Sequence, residues 1–290
     1  MSTHSPRGRV AVRISGGPGP PEAWAMTKRL KSVQWAAMRL LMGSAGRLSS
    51  GIRIGYRHGF DSGSMLDYVY VNKARGSLGF GRIIDRCYLN AIGWRAIRAR
   101  RELLKDVLRK EIADRGGRAV VLDVASGPGR YLQDLVEEYP AGAVRVECRD
   151  LDPAGLSAGE RQARERGLTG IAFARGNALD PGPLADGTAP DVIVVSGLYE
   201  LLLDDAVIAA SVERLRGLLA PGGVLVFTTQ TRHPQLEFIA EVLPNRDGVP
   251  WVMKCRPVEL AERWARDAGY SGVTSRRETV GLFTVTTALR

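Results

Sequence analysis

The stretch Asp123-Val124-Ala125-Ser126-Gly127-Pro128-Gly129 joins an apolar run, Ala119 to Leu122, to a segment with helical spacing. We call this stretch the glycine loop. A strand, a turn with two glycines and a helix form a nucleotide-binding arrangement, because glycine adopts positive φ and lets a ligand approach the backbone. The first turn of the helix also offers free N–H groups. The stretch therefore predicts a nucleotide-like ligand at the end of the first strand.

Short apolar runs alternate with helical segments after the glycine loop. The predicted strands are 119–124, 144–149, 171–174, 191–196 and 224–228, and the predicted helices lie near 130–138, 153–166, 204–219 and 257–268. Val-rich strands alternating with helices predict a parallel sheet covered on both faces. Residues 272–280 and 282–289 are two further strands without a helix between them, which predicts an antiparallel hairpin at the sheet edge. The predicted fold class is α/β, a Rossmann-like and mostly parallel sheet with an N-terminal helical cap.

The charge of the chain is distributed unevenly. Residues 1–118 hold 23 Lys and Arg against 8 Asp and Glu, whereas residues 119–290 hold 18 against 23. This asymmetry separates two regions with different roles. We predict a disordered tail over 1–22, a helical cap or lid over 23–112, and the ligand-binding domain over 113–290.

The first predicted helix, 23–42, is basic and amphipathic. Its apolar positions are Trp24, Met26, Leu30, Val33, Ala37, Leu40 and Leu41, with Lys28, Arg29, Lys31 and Arg39 between them. The apolar stripe could pack on the main domain or dock on an anionic membrane surface. Exchange of this helix with a neighbouring copy, which would give a homodimer, is a further interpretation.

The glycine loop favours one kind of nucleotide over others. Its pattern, D-x-x-x-G-x-G, has an acid on the strand and lacks the third glycine of the dinucleotide fingerprint G-x-G-x-x-G. A ligand with an ammonium group and a ribose, but no pyrophosphate, fits this pattern. We therefore predict S-adenosylmethionine (SAM) as the cofactor, with Asp123 favouring its ammonium group and Ala125, Ser126, Gly127 and Gly129 contacting it.

Polar side chains at later strand ends complete the predicted SAM site. Asp150 lies 21 residues after Gly129, where an acid accepts hydrogen bonds from ribose hydroxyls. Leu151 can cover the adenine, Asn177 and Ala178 follow the third strand at the adenine edge, and Ser196 follows the fourth strand. These positions share the carboxyl-terminal edge of the sheet, where open α/β sheets bind ligands.

Two resemblances strengthen this interpretation. Val121 to Tyr131, Asp150 and Gly176-Asn177-Ala178 resemble the successive motifs of class I SAM-dependent methyltransferases, over roughly residues 110–290. A narrower resemblance, to a bacterial family of methyltransferases sometimes fused to a lysophospholipase-like α/β-hydrolase, is carried by Gly59 to Tyr70, Asp85 to Arg95 and His233 to Glu237. They imply the methyltransferase fold and SAM, and they leave the methyl acceptor open.

The residues that act on the acceptor are predicted from position. Methyl transfer depends on positioning and on deprotonating the acceptor. His233 follows the fifth strand and is the predicted general base, with a hydrogen bond inside its own turn as the alternative.

Residues 56–75 form the predicted lid. Its Tyr68 and Tyr70, with Tyr199 beyond the fourth strand, could face the sulfonium or simply pack between cap and sheet. Tyr56, Tyr88, Asp67, Asn72 and Arg75 are further candidates for the lid contacts.

The predicted function is SAM-dependent methyl transfer to a small-molecule or lipid-like acceptor. Ser196-Gly197-Leu198-Tyr199 does not match the Asn/Asp-Pro-Pro-Tyr motif of adenine or glutamine methylation, and it offers no nucleophilic Cys for cytosine methylation. Three scattered Cys and three scattered His predict no metal site.

Three alternatives remain open. A SAM cyclase would release methylthioadenosine, and an RNA methyltransferase or RNA-binding protein would use the basic N-terminal region. A non-catalytic SAM-binding protein is the third. A nucleic-acid partner is not expected, because no separate RNA-binding module is evident. The sequence has no apolar run of about 18 residues and no signal-peptide pattern, so a cytoplasmic protein is predicted.

Overall fold

A computed structural model describes residues 21–290, with side chains described from residue 29 onwards. The helices are α1 (Pro21–Gly43), α2 (Ser50–His58), α3 (Gly63–Val71), α4 (Phe80–Leu89), α5 (Ile92–Asp114), α6 (Arg130–Val136), α7 (Pro153–Glu165), α8 (Asp205–Leu218), α9 (Leu236–Val242) and α10 (Val258–Asp267). The strands are β1 (Ala119–Asp123), β2 (Val144–Asp150), β3 (Ile171–Arg175), β4 (Val192–Val195), β5 (Val224–Gln230), β6 (Ser271–Arg277) and β7 (Phe283–Leu289).

The seven strands form one sheet in the order β3-β2-β1-β4-β5-β7-β6. Strands β1 to β5 are parallel, and β7 pairs antiparallel with both β5 and β6. The predicted α/β fold with an antiparallel C-terminal hairpin at the edge is therefore confirmed. The strand order reverses direction between β1 and β4, which is the place where open α/β sheets bind ligands.

Both faces of the sheet are buried. On one face, α5 and α6 pack Leu104, Leu108 and Leu132 against the strands. On the other face, α8 and α10 pack Val212 and Trp264 against them. This two-sided burial explains why β4 and β5 are apolar throughout, rather than alternating with polar residues.

Helices α1 to α4 and the first half of α5 form the cap. Its core joins Phe60, Met65, Leu89 and Trp94 to residues around α9. Within the predicted helical cap, α4 and α5 are separate helices, because the chain turns at Asn90 and Ala91 before α5 begins. Helix α9 had no counterpart among the predicted helices. Of the predicted tail, residues 1–20 lie outside the described residues, and positions 21 and 22 belong to α1.

A buried carboxylate holds the cap together. Asp85 is fully buried and accepts hydrogen bonds from the Ser49 hydroxyl (2.5 Å), the Gly51 N–H (2.7 Å), the Tyr68 hydroxyl (2.5 Å) and the Arg75 N–H (2.8 Å). These donors come from the N-terminal end of α2, from α3 and from the loop before α4. Charge-assisted hydrogen bonds of this kind fix the relative positions of the short helices.

Helix α1 packs on the main domain through a different face from the predicted one. Trp35, Met38 and Met42 face the cap core, and Trp35 lies 6.3 Å from Phe238 of α9. Lys31 and Arg39 bind α9 through Glu237 (2.8 Å) and the Glu241 carbonyl (2.7 Å).

The predicted stripe is instead exposed in its described part. Leu30, Val33, Leu40 and Leu41 are each more than half exposed. The helix thus carries two apolar faces. Only the face with Trp35, Met38 and Met42 is covered by the rest of the described chain. Within residues 21–290, none of the helices is apolar over enough length to cross a membrane.

Candidate functional site

A cavity of about 270 Å³ runs along the carboxyl-terminal ends of β1, β2, β3 and β4. It is lined by ten of the predicted cofactor residues, namely Ala125, Ser126, Gly127, Gly129, Asp150, Leu151, Asn177, Ala178, Ser196 and Tyr70. We call it the first cavity. The topology brings these residues together because parallel strands end at the same edge of the sheet.

Backbone geometry shapes the glycine loop. Gly127 and Gly129 have φ of 54° and 61°, in the left-handed region that favours glycine. A Cβ at Gly129 would lie 2.7 Å from the Cys148 sulfur, so only glycine fits there. The Gly127 N–H donates to Asp150 Oδ2 at 2.8 Å, and the Asp152 N–H donates to Oδ1 at 2.9 Å. Asp150 is therefore fixed against the loop, with its remaining lone pairs available to a ribose.

Asp123 lies behind the loop and does not line the first cavity. Its carboxylate is fully buried and accepts hydrogen bonds from the Tyr131 hydroxyl and from the Ala125 N–H, the latter at 3.1 Å. Burial raises the pKa of this carboxyl to about 7, against the opposing hydrogen bonds. The structure thus gives Asp123 a part in holding the loop, while its predicted contact with an ammonium group stays a prediction.

Helix α3 covers the loop side of the first cavity. The backbones of α3 and of the glycine loop are in close contact, since a Cβ at Gly63 would lie 3.2 Å from the Gly127 Cα. Asp67 forms a double hydrogen bond with Arg130 at the start of α6, one arm of which measures 3.0 Å. Tyr70 lines the cavity, with the Arg101 guanidinium 5.3 Å from its ring centre. The middle of the predicted lid, residues 61–70, therefore borders the first cavity.

The other predicted lid residues lie elsewhere. Tyr68 points into the cap, where burial first and the Asp85 hydrogen bond second raise the pKa of its hydroxyl. Tyr56, Asn72, Arg75 and Tyr88 do not line the first cavity. For Tyr68 the geometry favours a structural role over the predicted catalytic one.

Tyr199 also lies away from the first cavity. It is 1% exposed, packs edge-on against Phe227 at 5.8 Å and hydrogen-bonds the Ser211 hydroxyl at 3.1 Å. Gly197, with φ of 79°, turns the chain between Ser196, which lines the first cavity, and Tyr199, which does not. This side chain belongs to the core between sheet and α8, so its predicted catalytic role lacks geometric support.

An ion pair that the sequence interpretation missed lies beside the first cavity, with Arg100 in the cavity wall and Glu200 behind it. Arg100 of α5 donates to Glu200 Oε1 at 2.9 Å, and the two side chains are 2% and 5% exposed. The Arg100 Nε and the Glu200 Oε2 have no hydrogen-bond partner among the described residues. Buried charged atoms without partners are costly, and such atoms beside a cavity indicate a polar ligand.

His233 lies at a second cavity, not the first. Burial lowers the pKa of its imidazole to about 4, so the ring is neutral near pH 7. Its Nδ1 accepts a hydrogen bond from the Gln235 N–H at 3.1 Å, which leaves the proton of the neutral ring on Nε2. The geometry therefore favours a hydrogen-bond donor at Nε2 over the predicted general base.

Residues 21–290 match a family model described as "Putative methyltransferase". The chain belongs to this family. It is also 39% identical over 283 residues to the Escherichia coli protein named "Uncharacterized protein YnbC", a match that covers 96% of the chain. The same match covers 47% of the relative, so the chain spans about half the length of that protein.

Solved structures agree on the fold. A possible exported protein from Bordetella parapertussis superposes with a TM-score of 0.68 at 19% identity, covering 94% of this chain and 99% of that one. Magnesium protoporphyrin IX methyltransferase from Synechocystis, solved with S-adenosylhomocysteine (SAH), gives a TM-score of 0.55 at 13% identity, covering 81% and 98%. The family and the fold together confirm the predicted class I SAM-dependent methyltransferase superfamily.

Proposed function

We propose that this domain transfers the SAM methyl group to a small, apolar or lipid-like acceptor, with SAM held in the first cavity. The observation that carries this is the row of groups along the cavity, from the glycine loop through Asp150 and Asn177 to Arg100. Asp150 would hold the ribose hydroxyls, and Leu151 and Ala178 would flank the adenine. The Arg100 Nε–H, which has no hydrogen-bond partner among the described residues, suits the carboxylate at the amino-acid end of SAM.

Bound SAM supplies an electrophilic methyl group on a sulfonium. The protein contributes position, and α3 covers the glycine loop. As the bond from methyl to acceptor oxygen or nitrogen would form, the sulfur–methyl bond would break and sulfur would keep the electron pair. The proton of the acceptor would leave to solvent.

Exposed apolar side chains support the lipid-like part of the proposal. Leu78 is 83% exposed, Phe80 74% and Ile83 62%, at the start of α4. Arg82 and Arg86 lie exposed beside them and form no ion pair within residues 29–290. Apolar tips flanked by arginines suit an anionic membrane surface. This peripheral contact is part of the proposal, and a homodimer stays a prediction.

Identification of the nucleoside product tests the proposal. The purified protein is incubated with SAM, with and without a cell extract as acceptor source, and the products are analysed by mass spectrometry. Methyl transfer requires SAH that forms only when the extract is present. Methylthioadenosine formed from SAM alone would instead support the cyclase, and unchanged SAM in every reaction would support a non-catalytic binding protein.

A further inference from the structure

A second cavity of about 210 Å³ lies where the cap meets the ends of β5 and β7. We call it the second cavity. Its walls are mostly aromatic and aliphatic, and they include Tyr88, Trp94, Phe238, Trp251 and Phe283. Trp94 and Trp251 stack with ring centres 6.1 Å apart and an interplanar angle of 25°. An apolar cavity of about 150 Å³ can hold one benzene ring, so this space suits a planar molecule of one substituted ring.

Three polar groups belong to these apolar walls. The Gln230 Oε1 and the Trp251 Nε1 are buried and have no hydrogen-bond partner among the described residues. The third is the His233 Nε2, the proton-bearing nitrogen of a neutral ring. The walls thus offer both hydrogen-bond acceptors and donors, and they hold no Asp, Glu, Lys or Arg among the described residues.

The space around His233 depends on one glycine. A Cβ at Gly93, near the start of α5, would lie only 2.7 Å from His233 Nε2. Gly93 also lines the second cavity. Any larger residue there would push the imidazole out of its place, so the glycine keeps this donor at the cavity wall.

The second cavity adjoins the first across a single layer of side chains. The Arg100 guanidinium carbon lies 4.6 Å from the centre of the Phe283 ring. Arg100 lines the first cavity and Phe283 lines the second. A ligand in the second cavity would therefore approach the Arg100–Glu200 end of the first, and the Arg100–Phe283 contact must part for the two ligands to touch.

We propose that the second cavity binds the methyl acceptor, and that this acceptor is an uncharged, planar aromatic molecule with a hydroxyl group. An aromatic hydroxyl can donate to Gln230 Oε1 and accept from Trp251 or His233, while its ring lies between apolar walls. A carboxylate would lose its hydration among apolar walls whose described residues include no Lys or Arg. The role as acceptor rests on the proposed function, whereas the binding of such a ring does not.

Calorimetric titration with three matched probes tests the site. 4-Methylphenol is expected to bind about fivefold to tenfold more tightly than 4-xylene, which lacks the hydroxyl, and 4-methylbenzoate is expected not to bind. Each titration is paired with SAM, whose binding shows that the protein is folded. SAM binding without any 4-methylphenol binding would overturn the proposal, as would equal affinity for the three probes.

Cavity-filling variants place the probe. Met253→Trp fills the second cavity and is expected to abolish 4-methylphenol binding while SAM still binds. Its matched control is Val252→Trp, at an exposed neighbour outside the cavity walls, which is expected to leave both ligands unaffected. Gly93→Ala, a milder change, is expected to weaken 4-methylphenol binding through His233. Unchanged affinity in both Met253→Trp and Gly93→Ala would contradict the assignment.

The two proposals fail separately in this design. Asp150→Ala is expected to remove SAM binding and leave 4-methylphenol binding intact. If 4-methylphenol binds as described but the protein never converts SAM to SAH, the proposed function fails and the aromatic site stands. If SAH forms with acceptors that do not compete with 4-methylphenol, the second cavity is not the acceptor site.

Discussion

Arg100 and Glu200 form an ion pair at 2.9 Å that is almost completely buried between α5 and the turn after β4. Each partner keeps one polar atom without a hydrogen bond among the described residues. The pair therefore joins the cap to the sheet, and Arg100 also lines the first cavity with an unsatisfied guanidinium Nε. Both roles can be separated by mutation.

Single substitutions of this pair are expected to destabilise the protein. Glu200→Gln or Arg100→Met leaves an uncompensated buried charge, which costs about 3–5 kcal/mol in the free energy of unfolding. The double variant Arg100→Met/Glu200→Leu replaces both charges with apolar groups and is expected to recover most of that loss. Urea unfolding measures all three.

The ligand role of the pair is tested in the same double variant. If Arg100 holds the SAM carboxylate, the double variant regains its stability but binds SAM more weakly than the native protein. Calorimetry measures this affinity. A double variant with native stability and native SAM affinity would show that the pair is structural only.

Asp150 is expected to dominate SAM affinity. Asp150→Ala removes the acceptor of the ribose hydroxyls, and two charge-assisted hydrogen bonds at about 1.5–3 kcal/mol each correspond to a loss of at least about a hundredfold in affinity. Asp152→Asn is the matched control. Asp152 begins α7 by accepting the Ala154 N–H at 3.0 Å, and Asn caps helices equally well. A similar loss of SAM affinity in both variants would mean that the substitutions disturb the fold of the loop, and not a contact between Asp150 and the ribose.

SAM affinity is expected to depend on pH through Asp123. Its pKa is raised to about 7 in the protein without ligand because of burial, and a nearby ammonium group would favour the carboxylate. SAM binding should then release protons and strengthen as pH rises through about 7. Titrations in buffers of different ionisation enthalpy measure the protons directly. Asp123→Asn should remove the pH dependence, and a flat profile in the native protein would argue against any ammonium near Asp123.

The same pKa shift predicts a trend in stability without ligand. The folded protein holds the Asp123 proton up to about pH 7, while the unfolded chain loses it near the ordinary Asp value of 3.8. This contribution to stability is present below that value and is lost as pH rises through about 7. Asp123→Asn is expected to flatten the pH dependence of the unfolding free energy over this range.

Membrane contact is expected to depend on the exposed apolar side chains before and within α4. Phe80→Ser together with Ile83→Ser should reduce co-sedimentation with vesicles that contain anionic lipid, because both side chains are mostly exposed and their loss leaves the fold intact. Native protein should bind vesicles of neutral lipid weakly. Val249→Ser, at an exposed site on another loop, serves as the control. Equal binding by all variants would exclude this surface.

The sheet and the cofactor contacts follow from short-range rules. Val-rich runs and glycine turns set the strands, and parallel strands bring Asp150, Asn177 and Ser196 to one edge without any knowledge of the tertiary structure. Ten of the eleven predicted cofactor positions line the first cavity. The exception is Asp123, the last residue of β1, whose buried side chain contacts Tyr131 instead.

The contacts between cap and sheet could not be read from local patterns. Arg100 is one of several arginines in α5. Its spacing from Ile97 and Leu104, both buried, was the available signal that this arginine lies on the buried face. His233 and Tyr199 both follow strands, but helix α9 and the Gly197 turn direct them away from the first cavity. Such directions depend on long-range packing, which the sequence periodicity does not contain.

Transfer of labelled methyl from SAM tests the central claim most directly. The protein is incubated with SAM that carries a deuterated methyl group and with phenols that bind the second cavity. All products are analysed by mass spectrometry. We predict one deuterated methyl group on the acceptor for each SAH formed, with no turnover in Asp150→Ala. Loss of SAM as methylthioadenosine, with no label on any acceptor, would contradict the account.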